Sequence, residues 1–379
     1  MIQEFKLGLS YDDVLLTPGY TDFNRDDVSI ATRLTKKITL NTPFVSSPMD
    51  TVTNSVFAIA LAKEGGIGIL HRNMRIQEQA AEVGVVKKAG FIVGAAIGVG
   101  EGYQERVAAL AEAGVDAVCI DSAHGHTNLM IDAIKHTKTA YPTIEVIAGS
   151  VATYEGAKAL IEAGADALRV GMGPASICTT RIVSGMGIPQ ITAILDTARA
   201  GKEADVPIIA DGGLNYFGDI IKALAAGASS VMSGVLFAAT TESAGETAVL
   251  TREQVPPQFA SILSDNMSSY TFKRYRGMGS VGAMQEGARI NAEDEFHGKS
   301  YKDKVLVAEG VEGLVPLRGT VKELCDQAIG GIRSGMFYVG AKTIAELQQK
   351  AKFIRLTSSS LRESHPHDVI VTNAGESYR

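Results

Sequence analysis

The sequence predicts a closed barrel of eight parallel strands jacketed by helices, a (β/α)8 or TIM barrel of the α/β class. Three observations predict it. First, eight short apolar runs fall at residues 43–47, 67–70, 92–96, 117–120, 145–148, 167–170, 207–210 and 230–232, separated by segments of helical periodicity such as 104–113 and 154–163. Several runs are rich in Ile and Val and barely alternate, as strands covered on both faces do. Second, a helix-to-strand joint recurs as Glu112-Ala-Gly-Val-Asp116, Glu162-Ala-Gly-Ala-Asp166 and Ala225-Ala-Gly-Ala-Ser229. It places Gly114, Gly164 and Gly227 where a helix C-terminus takes a left-handed residue. Third, polar residues and glycines gather just past the runs, at the strand ends where such barrels keep their chemistry. A doubly wound open sheet is the alternative; eight units in about 200 residues favour closure.

Each element then contributes a strand-end segment. After the first run comes SSPMDTVT (46–53), after the second HRNM (71–74), and after the fourth DSAHGH (121–126). After the seventh and eighth come DGG (211–213) and SGV (233–235). Glycines after strands seven and eight fit a phosphate cradle of backbone N–H groups, or a tight turn. After the sixth comes VGMGPASICTTRIVSGMGIPQ (170–190), with Cys178 beside Thr179, Thr180 and Arg181. A thiol in a glycine-rich loop at a strand's C-terminal end is placed as a nucleophile, given N–H groups or positive charge to favour the thiolate. A small buried hydrophobe is the other reading of a lone cysteine.

Composition narrows the function classes. The 379 residues carry a net charge of −6, which gives no reason to expect nucleic acid or an anionic membrane as partner. No apolar window has the length of a membrane span, and MIQEFKLGLS has no signal-peptide core. Three scattered cysteines form neither a metal motif nor a disulfide framework, so a cytoplasmic setting is expected. The barrel is expected to end near Ala248. Residues 249–319, polar and glycine-rich without strong periodicity, are read as a flap or lid. Residues 1–248 and 320–379 would then form the catalytic barrel, with a last helix at 320–333 and a tail. In that tail, His365 and His367 are read as packing residues, because no third ligand is suitably spaced.

In combination and order, SSPMDTVT, GGIGILHRNM, IDSAHGH, GMGPASICTTR, PIIADGG, YRGMGSVGAM, EGVEG and LRESHPHD resemble the inosine-5′-monophosphate (IMP) dehydrogenase / GMP reductase superfamily over nearly the whole chain. YRGMGSVGAM and the tail look more like the dehydrogenase branch. The resemblance implies that Cys178 attacks C2 of IMP, that hydride passes to NAD, and that water releases XMP. It implies that Thr180 positions the water and Glu309 exchanges protons with it. Ser47, Met49 and Ser176 match nucleotide contacts, and Asp211 the ribose-binding carboxylate. Gly212, Gly213, Gly234 and Tyr275 match the phosphate site, Met278 and Gly279 the purine contacts. Asp121, Ser122, His124 and Ser150 match the dinucleotide side. Carbonyls of Gly171, Gly173 and Cys178 match a monovalent-cation site, most often potassium. A homotetramer is implied as well.

Three departures qualify this. Residues 74–91 leave room for one helix where most dehydrogenases carry paired regulatory CBS modules. The flap's Arg-Tyr pair is missing: counting back from Glu309 reaches His297-Gly298, with Arg289 and Tyr301 not adjacent, so His297 becomes a candidate base. Ser150 replaces the usual Asn, and Ala175 a loop glycine. The missing pair leaves two alternatives open: a GMP reductase, which runs hydride the other way from NADPH, and a purine-nucleotide binding protein with weakened chemistry.

Overall fold

The computed structural model describes residues 5–263, 267–290, 307–369, 371 and 375. Eight parallel strands run in a ring: β1 Phe44–Ser46, β2 Ile69–Leu70, β3 Gly94–Ile97, β4 Ala117–Asp121, β5 Glu145–Val151, β6 Ala167–Val170, β7 Ile208–Asp211 and β8 Ser230–Ser233. From β2 on each pairs with the next, and β8 pairs with β1. The last gap closes where Val45 bridges Ile67 in parallel, just before β2. Ile67 N–H donates to the Phe44 carbonyl and Ser46 N–H to that of Ile67. The open-sheet alternative is thereby excluded.

Strand alternation divides the apolar residues between two cores. Val45, Ile69, Ala96, Cys119, Ile147, Ala167, Ile209 and Met232 fill the lumen. Their neighbours, among them Val118, Ile120, Val146, Ala148, Leu168 and Val170, face the helices. Those helices are α1 Ser55–Lys63, α2 Ile76–Lys88, α3 Tyr103–Glu112, α4 Asn128–Ala140, α5 Tyr154–Glu162, α6 Gln190–Glu203 and α7 Phe217–Ala225. Asn54, Thr127 and Thr153 cap α1, α4 and α5 by accepting from N–H groups of the first turn. The repeated joints behave as read: Gly114, Gly164 and Gly227 have φ of 83°, 110° and 119°.

The jacket's eighth helix arrives late. After β8 the chain leaves to form a three-stranded antiparallel sheet, β9 Thr247–Thr251, β10 Ser269–Arg276 and β11 Glu312–Pro316, with α8 Val281–Ile290 between the last two strands. Only then does α9 Val321–Val339 pack against α7 and α1. Residues 247–316 are therefore an insertion in the last strand-to-helix connection, on the face where the strands end. The sequence shows no strong periodicity here, yet three strands and a helix form among the described residues. Tyr270 and Phe272 form a small core with Val255 that period reading missed, because the strands are separated by long loops. The closing helix also outruns its expected end at residue 333.

Phe57 in α1 is fully buried edge-on to Phe237, centroids 5.4 Å apart. Phe57→Ala is expected to cost about 3–5 kcal/mol through lost transfer energy and a cavity, read as a lower midpoint in urea unfolding. An unchanged midpoint would contradict the packing described.

Candidate active site

At the C-terminal face a cavity of about 250 Å³ opens over the lumen. Among the described residues, its wall includes every one singled out from the sequence for catalysis, substrate, cofactor or cation, except His124. His124 is exposed; its backbone carbonyl accepts from the buried Ser122 hydroxyl, and it is that serine that reaches the cavity.

The Cys178 loop owes its shape to its own carbonyls. Cys178 N–H donates to Ala175 O at 3.0 Å, and a short helix, Thr180–Val183, follows at once. Arg181 does not serve the thiol as its sequence position suggested: its guanidinium donates to the carbonyls of Ile188 (2.7 Å) and Met172 (3.4 Å), pinning the two ends of the loop. Cys178 is half-buried. The other two thiols, Cys119 in the lumen and Cys325 in α9, are buried, and burial pushes each up to about 12.

A hydrogen-bond chain starts at the half-buried sulfur. Cys178 Sγ lies 3.2 Å from Thr180 Oγ1, and the threonine hydroxyl donates to Glu309 Oε2 at 2.8 Å. Glu309 is 129 residues from Thr180 in sequence and is held by backbone bonds on both sides. Thr179 N–H donates to Glu309 O at 2.9 Å and Glu309 N–H to Gly279 O at 3.1 Å. Val311 N–H donates to Ile177 O, and Gly277 N–H to Val311 O, each at 3.0 Å. Asp50, after β1, anchors the base of the insertion: Arg276 donates to it from Nε and Nη2, and Asn73 Nδ2 donates to it at 2.8 Å.

The lumen side is charged. Arg169 Nε donates to Asp211 Oδ2 at 2.7 Å, and its Nη1 donates to Asp121 Oδ1. Burial disfavours the guanidinium charge, but Asp211 and Asp121 together outweigh it and hold Arg169 well above its ordinary range. The other Asp211 oxygen accepts from Ser47 Oγ at 3.3 Å. Tyr275 is buried over Met49 and Gly234; a Cβ on Gly234 would stand 2.5 Å from the Tyr275 hydroxyl. Burial, then the Asp211 charge, raises the tyrosine, which stays a neutral O–H. Gly212 and Gly213, φ 85° and 75°, turn the chain after β7.

Sequence reasoning missed Arg169, Asp50, Asn73 and Arg276. Arg169 had a signal, as the lone charge inside the apolar run ALRV (167–170); the other three had none, because their pairing is visible only once the insertion folds back. The candidate base His297 lies outside the described residues.

Comparison with known proteins places this geometry in a class of purine-nucleotide oxidoreductase barrels. The IMP dehydrogenase / GMP reductase domain matches residues 8–367. The chain is 39% identical to inosine-5′-monophosphate dehydrogenase of Aquifex aeolicus, covering 99% of this chain and 98% of that protein. It is 42% identical to the enzyme of that name from Borreliella burgdorferi (96% and 98%) and 36% identical to that from Pasteurella multocida (100% of each). The chain belongs to the IMP dehydrogenase / GMP reductase family. The Aquifex alignment runs over 504 positions against the 379 residues here, and between β2 and β3 this chain has α2 alone.

His71 opens the loop that carries Asn73. It is buried, and burial lowers it to about 4 despite Asp50 and Glu82 nearby. It is therefore neutral when folded and takes a proton when unfolding returns it to its ordinary value. Its contribution is complete above pH 6.5 and is lost as pH falls towards 4. Across that window His71→Gln should flatten the loss of stability by up to about 1.4 kcal/mol per pH unit. Parallel pH profiles for the variant and the parent would contradict it.

Proposed function

We infer that this protein is an IMP dehydrogenase, oxidising IMP to XMP with NAD. One observation carries the reading: a half-buried thiol, a threonine hydroxyl and a carboxylate lie in sequence on the wall of one cavity. The naming of its full-length relatives as dehydrogenases supports it further.

In this reading the purine stacks under Met278 and Gly279, with C2 at Cys178. The ribose hydroxyls donate to Asp211. The phosphate sits among Ser176, Gly213, Gly234 and the Tyr275 hydroxyl, where glycines let backbone approach closely. Ser47 and Met49 close that end. Asp121, Ser122 and Ser150 continue the same cavity past Cys178, which gives a dinucleotide room beside the purine. NAD, when bound there, supplies the acceptor for the hydride that leaves C2.

The thiol proton passes to Thr180, whose own proton goes to Glu309, as the S–C2 bond forms. After hydride loss the purine remains as a thioimidate on Cys178. Glu309 releases that first proton to solvent; water then adds to C2, its proton passes along the same Thr180–Glu309 route, and this proton returns to the sulfur in the last step. The C2–S bond breaks, releasing XMP and restoring the thiol. One relay thus serves both halves of the reaction, which lessens the need for the absent flap arginine.

The carbonyls of Gly171, Gly173 and Cys178 are hard oxygen donors on this loop, and we assign them to a monovalent cation, potassium by preference, that stiffens the loop. Residues 249–319 act as a flap, the regulatory CBS pair being absent. A homotetramer in the cytoplasm is part of the same reading.

Purified protein incubated with IMP and NAD should reduce the cofactor; turnover with GMP and NADPH alone would establish the reductase instead. Cys178→Ala should lose at least about 10³-fold in turnover while still binding IMP, and normal turnover would remove the nucleophile from this account. Glu309→Gln should slow both the hydride burst and the hydrolysis that follows, each about 10- to 100-fold; an unchanged burst and steady state would break the relay.

A further inference from the structure

Along β6 the side chains alternate, so Ala167 points into the lumen and Leu168 and Val170 point to the helices. Arg169 therefore points inward, two residues past the lumen-filling Ala167 and in register with Ile209. Asp121 stands on β4 at the register of Gly149, and Asp211 lies on β7 two residues past Ile209, the register partner of Arg169; both reach its guanidinium. The barrel leaves space for this deliberately narrow arrangement at β5: a Cβ on Gly149 would lie 2.7 Å from the Arg169 Cβ and 2.3 Å from its carbonyl. The side chains of all three charged residues are only 14–17% exposed.

The guanidinium is a rigid planar fork of five N–H donors, and here each carboxylate takes a single contact from it. It gives Nε to Asp211 and Nη1 to Asp121. Each carboxylate keeps its second oxygen for other partners, and that of Asp211 already takes the Ser47 hydroxyl. Building on the functional reading above, we propose that Arg169 is a positioning residue that couples the mononucleotide and dinucleotide subsites, because one rigid cation sets the orientation of the carboxylate in each. When Asp121 is neutralised to Asn, the Nη1 contact loses its charge assistance and anchors the fork less firmly. The fork can then swing towards two-point contact with Asp211, occupying the oxygen that a ribose hydroxyl needs.

The test is IMP binding by calorimetry, without dinucleotide or turnover. In the parent background Asp121→Asn, an isosteric change at a residue assigned to the other subsite, should weaken IMP about three- to tenfold, the scale of one charge-assisted hydrogen bond. In an Arg169→Met background the same Asp121→Asn change should have no effect on IMP. An IMP affinity within twofold of the parent in Asp121→Asn overturns the coupling. So does a penalty of the same size in both backgrounds, which would route it around Arg169. Should Arg169→Met fail to fold, Arg169→Lys, a point charge without the fork, supplies the second background, and the first arm decides regardless. If the parent itself does not bind IMP, the functional reading fails, and the coupling with it; binding without cross-talk removes the coupling alone.

Discussion

Backbone hydrogen bonding between residues 177–179, 277–279 and 309–311 is the constraint on which the site rests. Four N–H···O bonds lay the Glu309 segment between the thiol loop and the loop after β10. Each is worth only about 0.5–1.5 kcal/mol net, yet without them the carboxylate has no fixed relation to the sulfur. The barrel supplies one wall, the insertion the other, and the register of this three-segment clasp decides which side chain meets Thr180. A slip of one residue would present Gly310 in place of Glu309. The Arg276–Asp50–Asn73 contacts limit such slippage by tying the insertion's root to β1 and β2.

The two ends of the barrel spend charge differently. At the strand starts, Lys138 pairs with Asp166, and Glu145 accepts from the Lys37 N–H, closing the floor together with Leu34 and Leu40. Those groups are turned on each other and away from any cavity, Lys37 Nζ standing 3.4 Å from a Glu145 oxygen that is buried without a hydrogen bond. At the strand ends, Asp121, Arg169 and Asp211 form a set with one cation for two anions and oxygens still turned to the cavity. An incompletely satisfied buried layer is costly for folding, and it is the capacity left over that a hydroxylated ligand can use.

Much of this was legible in the sequence, for reasons that differ by region. The eight strands announced themselves because parallel strands buried on both faces are apolar throughout, and the observed strands start and end within two residues of the expected runs, save that β5 runs three residues further, to Val151. The cavity wall was legible because motifs following strands must converge at one rim once the barrel closes. Arg169 was harder, since inward and outward positions of a short strand look alike until register is known. The insertion was least legible: β9, β10 and β11 pair across long loops, and neither their order nor the partnership of Arg276 with Asp50 leaves a local trace. His124 looked like a wall residue because it shares a motif with Ser122, but the turn there directs its ring outward.

The unequal burial of the three sulfurs has a practical consequence. Cys119 and Cys325 are sealed and held as thiols, while Cys178 alone has a route to solvent through the cavity. An alkylating reagent would therefore meet a single reactive position per chain, and any occupant of the cavity would shield it. The molecule contains its own reporter: the rate of covalent capture counts empty sites directly, without reference to colour change or product.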